Sequence, residues 1–286
     1  MGSPHGFFIV ANPAPHLEVS GASRPSDVSR PTRLASRETR MRTSRVLFSL
    51  IGTALVFAAL PSAMADPRAV IELFTSQGCS SCPAADQLLA ELQADRSLIP
   101  LSLPIDYWDY LGWKDTLAIP GHAMRQRAYS QVRGDREIYT PQVVVSGIAQ
   151  AIGSDREGIE NAVAQTRNYP SSLSVPLQVK VADDSVSVTL PTREHVEARG
   201  EIWLCAVSGS VSVGIGRGEN RGRTITYTNV VRRWIKLGSW NGKSENFTIP
   251  IDAIKSDGVD AVAVILQGGS FEKPGAIMGA SLTSLN

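Results

Sequence analysis

Cys79-Ser80-Ser81-Cys82-Pro83 stands a short turn, Thr75 to Gly78, after the apolar run Ala69-Val70-Ile71-Glu72-Leu73-Phe74 and directly before Ala84 to Leu92, a stretch with helical spacing. The apolar run reads as a strand, and Pro83 is tolerated in the first turn of a helix. The first cysteine is thereby placed at a helix N-terminus. Unpaired N–H groups and the positive end of the helix dipole there favour a thiolate over a thiol. The second cysteine lies one turn on, close enough to close an intramolecular disulfide. Strand, CxxC and helix in this order point to thiol–disulfide exchange. A loop of two residues removes little chain entropy, so a stabilising staple is the weaker reading.

Outward from this stretch, residues 69–168 alternate strands with helices. Strands are expected at 69–75, 99–105, 142–145 and 149–152, the last two joined as a hairpin through Ser146-Gly147. Helices are expected at 83–94, at 116–133 as an insertion, and at 155–167 with Ser154 as N-cap. Asn168-Tyr169-Pro170-Ser171-Ser172 breaks the pattern. Beyond it, alternation of period two returns as short strands at 177–181, 185–189, 202–208, 211–215, 224–231, 234–237, 245–249 and 261–267. Gly- and Asn-rich turns separate them, which reads as an antiparallel β-sandwich.

Residues 41–65 read as a signal peptide. Met41-Arg42-Thr43-Ser44-Arg45 is a basic n-region, 46–60 an apolar h-region, and Ala63 and Ala65 supply the small residues of a cleavage site. The h-region is shorter than the roughly 20 apolar residues a spanning helix needs. The expected compartment is periplasmic or secreted, after cleavage near Ala65, with no stable membrane insertion afterwards. Residues 1–40 are rich in Ser, Pro and Arg and read as a disordered extension or as a mis-assigned start upstream of Met41.

Residues 1–65 hold seven of the 28 basic and three of the 27 acidic residues, leaving 21 against 24 in the remainder, a net charge of −3. That balance gives no reason to expect nucleic acid or an anionic membrane surface as a partner. All three cysteines lie in the exported portion. Cys205, in Ile202-Trp203-Leu204-Cys205-Ala206-Val207, reads as inert packing in a buried strand. A zinc site would need two ligands beyond the CxxC, and the exported portion offers only His122 and His195. No resident metal is expected, although two thiolates can hold a soft ion such as Cu(I).

Four further features bear on chemistry. Tyr139-Thr140-Pro141-Gln142 enters a strand, and a cis Thr140–Pro141 bond there would turn the Thr140 backbone towards an incoming extended chain. Asp106 to Asp115 carries Tyr107, Trp108, Tyr110 and Trp113 among three aspartates, either a binding wall beside the disulfide or a small core of its own. Glu72 is an acid inside an apolar strand, either a proton-transfer group for the cysteines or an acid paired at the strand surface. Arg217, Arg221, Arg223, Arg232 and Arg233 form either an anionic docking site or a solvated face.

The order β–CxxC–α–β–α–β–β–α is the thioredoxin order. The segments 72–83, 106–115, 125–129 and 139–142, with 216–223 and 227–232 further on, resemble a bacterial family of secreted thioredoxin-like proteins catalogued as a domain of unknown function. The resemblance covers the whole exported portion. It implies an α/β fold: a thioredoxin-like domain with a helical insertion at 66–168, followed by an antiparallel β-sandwich domain at 174–286. The expected function is an exported thiol–disulfide oxidoreductase acting on protein or small-molecule thiols and disulfides without a dissociable cofactor. Cys79 is the expected nucleophile and Cys82 the resolving cysteine. Thr140, Pro141, Trp108 and Trp113 are the expected substrate contacts, and Glu72 the candidate for proton transfer. A non-catalytic binding module, or a Cu(I)-binding or transfer protein of the periplasm, is the alternative.

Overall fold

The computed structural model describes residues 67–193 and 199–285. The expected signal peptide at 41–65 and the extension at 1–40 lie outside the described residues. In chain order the elements begin with β1 (Ala69–Thr75), α1 (Cys82–Leu92), β2 (Leu98–Pro104), α2 (Pro120–Arg133), β3 (Gln142–Val145), β4 (Ala149–Ile152) and α3 (Arg156–Arg167). They continue with β5 (Gln178–Val181), β6 (Ser185–Leu190), β7 (Gly200–Gly214), β8 (Thr224–Trp240), β9 (Glu245–Pro250), β10 (Ala261–Ser270) and β11 (Lys273–Ser284). No helix among the described residues is long and apolar enough to cross a membrane.

Eight strands form one mixed sheet in the order β11-β10-β7-β8-β2-β1-β3-β4. β1 runs parallel to β2, and β2 meets β8 in parallel through the pair Ser102 and Val230. The remaining pairings in this sheet are antiparallel. A second sheet holds β5, β6 and β9.

This arrangement overturns the expected thioredoxin-like domain followed by a separate β-sandwich. The break at 168–172 does not divide two sheets, because β7, β8, β10 and β11 extend the sheet that β1 to β4 begin. The physical reason lies in the run Ile202–Val207. Ile202, Leu204 and Ala206 join a core with Val186, Val188 and Leu190 of β6. Trp203, Cys205 and Val207 join a different core with Val70, Phe74, Leu101, Leu103 and Tyr129. A strand apolar at both parities is covered on both faces, whereas an outer sandwich strand alternates. The second face of β7 is covered by the N-terminal half of the chain.

Strand lengths differ from expectation for a related reason. The expected turn at 209–210 is an unbroken part of β7, and the one at 232–233 is absorbed in the long β7–β8 pair as a register shift opposite Ala206 and Val207, where Arg232 is the extra residue. A β-bulge accommodates an extra residue without ending the strand. Asn229, at φ 48°, sits in β8 and donates its amide to Pro100 O at 2.9 Å. The third helix is capped by Asp155, whose carboxylate accepts from Gly158 N, rather than by Ser154.

α1 buries Cys82, Ala85, Asp86, Leu88, Leu89 and Leu92, one face at i, i+3, i+4 and i+7 spacing. It packs on Ile71 and Leu73 of β1 and on Val143 and Val145 of β3. The opposite face of β1, Val70 and Phe74, packs towards α2 and the C-terminal strands. These two faces decide where each acid of the site falls.

Candidate functional site

Cys79 and Cys82 form a disulfide, with Cα atoms 5.4 Å apart. Cys82 is the first residue of α1, and Cys79 N donates to Ser76 O in the turn before it. Ser80 and Ser81 are exposed, but Cys79 is only 1 % and Cys82 0 % exposed. Solvent access therefore does not single out Cys79, the expected nucleophile, from Cys82. The Ser81 hydroxyl lies 3.4 Å from Cys79 Sγ.

The expected companions gather on one side of this turn. The Thr140–Pro141 bond is cis. Trp108 Nε1 donates to Thr140 Oγ1 at 2.7 Å, and the Trp108 backbone and Cβ lie against Gly78. Trp108 thus ties the 140 loop to the cysteine turn. Trp113 Nε1 donates to Gln77 Oε1 at 2.8 Å. Pro141 reaches α1 across Gly153, where an added Cβ would lie 2.8 Å from Pro141 and 3.1 Å from Ala85. Tyr110 stacks on Trp108 with ring centroids 6.2 Å apart and is 76 % exposed. The two tryptophans are half-buried and hydrogen-bonded, so they act as walls held in place, with Tyr110 as the outward face.

Glu72 does not join the cysteines. It projects from the β1 face opposite α1 and is fully buried. Arg125 Nε donates to it at 2.6 Å, and Tyr129 OH donates to its other oxygen at 2.6 Å. Arg125 lies over the Trp234 ring at 4.6 Å. Burial works against the Arg125 charge, and the Glu72 carboxylate overcomes it, so the guanidinium pKa is raised. Gln267 of β10 donates to Tyr129 OH at 2.8 Å. The network joins the two halves of the chain and uses Glu72 as a structural anion.

The acid that does stand beside the pair is Asp86, which sequence reasoning missed. It sits four residues after Cys82 on the buried face of α1. Residues at i and i+4 are neighbours on a helix, and side chains lean towards the N-terminus, so the carboxyl leans towards Cys82. Neither carboxyl oxygen is held in a well-formed hydrogen bond among the described residues; the Thr75 hydroxyl stands near enough to interact, and the adjoining Tyr227 hydroxyl is unpaired. Burial pushes the Asp86 pKa up to about 8; the nearby Thr75 hydroxyl pulls it back and the Asp115 carboxylate adds to the rise. The site therefore holds a carboxyl that carries its proton at neutral pH. An aspartate among Ala85, Leu88 and Leu89 on an apolar helix face was the available signal.

Asp115 is also buried and its pKa raised, chiefly by burial, against three backbone N–H donors from Gln77, Leu117 and Ala118. It fixes the turn before the cysteines. Cys205 is buried on the other face, its thiol pKa raised by burial, as inert packing requires. No group of three or more His, Cys, Asp or Glu residues that could hold a metal occurs among the described residues.

A second element missed by sequence reasoning is the 215–223 tip between β7 and β8. Asn220, buried, donates its amide to Gln77 O at 3.0 Å and to Cys79 O at 2.8 Å. Glu219 accepts from Ser80 N at 3.1 Å. Trp113 packs on Gly216 and Gly218 of the same tip. The five arginines divide: Arg217, Arg221 and Arg223 belong to the tip, while Arg232 and Arg233 lie in β8, where Arg233 donates to Ala253 O and Ile254 O. The C-terminal half of the chain thus bonds directly to the backbone of the cysteine turn.

Residues 70–267 match the family model described as Protein of unknown function (DUF1223). The chain belongs to this family. A crystal structure of a protein from Agrobacterium tumefaciens is similar, with 29% identity and a TM-score of 0.70 over 78% of this chain and 97% of that one. HBP35 of Porphyromonas gingivalis shares the fold at 13% identity, with a TM-score of 0.52 over 77% of this chain and 76% of that one. No curated protein matches the chain. The family covers both halves of the chain, in keeping with a sheet that runs through both.

Proposed function

We propose that this chain is an exported thiol–disulfide oxidoreductase that works through Cys79 and Cys82. The observation that carries the reading is a disulfide opening α1 with a neutral, unpartnered Asp86 carboxyl one turn further on. A two-residue disulfide loop contributes little to stability, and an orphaned buried carboxyl costs stability, so both features call for a role in chemistry. In the oxidised protein a substrate thiolate attacks Cys79 Sγ. The Cys79–Cys82 bond breaks, Cys82 leaves with the electron pair, and Asp86 supplies the proton that makes it a thiol. In the reverse sense Cys82 gives its proton to the Asp86 carboxylate as it attacks the mixed disulfide and releases the substrate thiolate. Partners are protein or small-molecule thiols and disulfides. The reading at 41–65 puts the exchange in the periplasm or outside the cell.

Burial of both sulfurs favours one rival, a binding module in which the pair is a closed structural clip or, once reduced, a Cu(I) site. Insulin-disulfide reduction with dithiothreitol as the electron donor separates the two. The proposal expects turnover that is lost in both Cys79→Ser and Cys82→Ser; turnover no faster than dithiothreitol alone would favour the clip.

A further inference from the structure

The disulfide of a working exchange site must be reached by a thiolate, yet both sulfurs here are shut away from solvent. The closure is made in part by side chains from a distant part of the chain. Asn220 holds the carbonyls of Gln77 and Cys79 with one amide group, and its own carbonyl accepts from Arg223 at 3.1 Å. Glu219 occupies the Ser80 N–H. Both anchors sit on one short tip, closed on itself by Ile215 N donating to Arg223 O and Gly222 N to Ile215 O. The tip is exposed at Gly216, Arg217, Glu219, Arg221 and Arg223, so it is bounded by solvent rather than by core on its outer side.

We infer that the 215–223 tip is a latch over the Cys79–Cys82 pair, fastened by Glu219 and Asn220, and that exchange proceeds when it lifts. The inference rests on the exchange reading of the pair. The latch also fixes what can open it. The buried Cys79 carbonyl needs a new donor when the tip leaves, and the exposed Ser80 N–H is freed to take a new acceptor. An extended polypeptide main chain offers a C=O and an N–H at the spacing of neighbouring residues, and a small thiol does not. A polypeptide disulfide is therefore the substrate class that replaces the latch contacts.

Reduction of the oxidised full chain by dithiothreitol tests this. One dithiothreitol thiolate attacks Cys79 Sγ and Cys82 leaves with the electron pair. The second thiol of the reagent then displaces Cys79. The protein gains two electrons and two protons, and the dithiol closes to a cyclic disulfide. Alkylation at timed intervals with intact-mass detection gives the rate. Asn220→Ala, which removes both bonds donated to the cysteine turn and the one accepted from Arg223, is expected to speed reduction by about tenfold. Glu219→Gln, at an exposed position, is expected to speed it by about threefold and serves if Asn220→Ala fails to fold. Unchanged or slower rates in folded variants overturn the latch. If the rates rise but neither wild type nor variant turns over insulin, the latch stands and the exchange reading falls. If wild type turns over insulin while the variants are reduced no faster, the latch falls and the exchange reading stands.

Discussion

Glu72 and Asp86 are both fully buried acids, and they lie on opposite sides of β1. Glu72 has every demand met: a guanidinium at one oxygen and a phenol at the other. Asp86 has neither oxygen satisfied. Burying a charge is tolerated only when it is paired and hydrogen-bonded; otherwise the group neutralises. Glu72 accordingly works as part of the scaffold that joins α2 to β8 and β10. On the exchange reading proposed above, Asp86 would store a proton for Cys82. Burial alone does not distinguish a structural acid from a chemical one, but partners do.

The largest way to break this comparison is to strip the paired acid. Arg125→Ala should destabilise the fold by about 3–5 kcal/mol in denaturant titration, because it strands a buried carboxylate. A loss below about 1 kcal/mol would mean that Glu72 is not held as described.

The pH dependence of stability sharpens the other side. Asp86 keeps its proton in the folded state up to about pH 8 but loses it near 3.8 when unfolded. The unfolded chain thus binds fewer protons in that window, and this group alone makes stability fall as pH rises from about 4 to about 8. His122 opposes it: burial lowers its pKa to about 3 from 6.5, and its ring accordingly contributes stability that rises between those values. These two slopes offset each other up to about pH 6.5, and Asp115, its pKa also raised by burial, adds a fall above its unfolded value. Wild-type stability should then fall from pH 6.5 to 8 by up to about 1.4 kcal/mol per unit. Asp86→Asn should remove most of that fall, and an unchanged slope in this variant would contradict the assignment.

Smaller effects follow at the site. Asp86→Asn should lower insulin turnover by about tenfold at neutral pH and abolish the break in the pH–rate profile near 8, while Glu72→Gln should leave the position of that break in place. Trp108→Phe should cost about 1 kcal/mol, the worth of its hydrogen bond to Thr140, measured as a shift in the denaturation midpoint.

How much of this could be read from the residues divides by range. The CxxC at a strand–helix joint, the cis Thr140–Pro141 bond and the β3–β4 hairpin are local features, and their signals lie within a few residues. The partition into an α/β domain and a sandwich failed because covering the second face of β7 is a long-range event. Its trace is the unbroken apolar run Ile202–Val207, which marks a buried strand but carries no mark of what covers it. Glu72 was legible as an acid inside an apolar strand, but its full burial and its face were set by which neighbours share its parity, Val70 and Phe74 rather than Ile71 and Leu73. Asn220 lies 141 residues from Cys79, and no spacing rule connects them.

The most direct test of the central claim is mixed-disulfide trapping with the full chain exported under oxidising growth. Cys82→Ser should accumulate disulfide-linked adducts on Cys79 that reductant releases, since the resolving thiol is gone, and Cys79→Ser should accumulate none. Adducts on neither variant, or equally on both, would contradict exchange through Cys79.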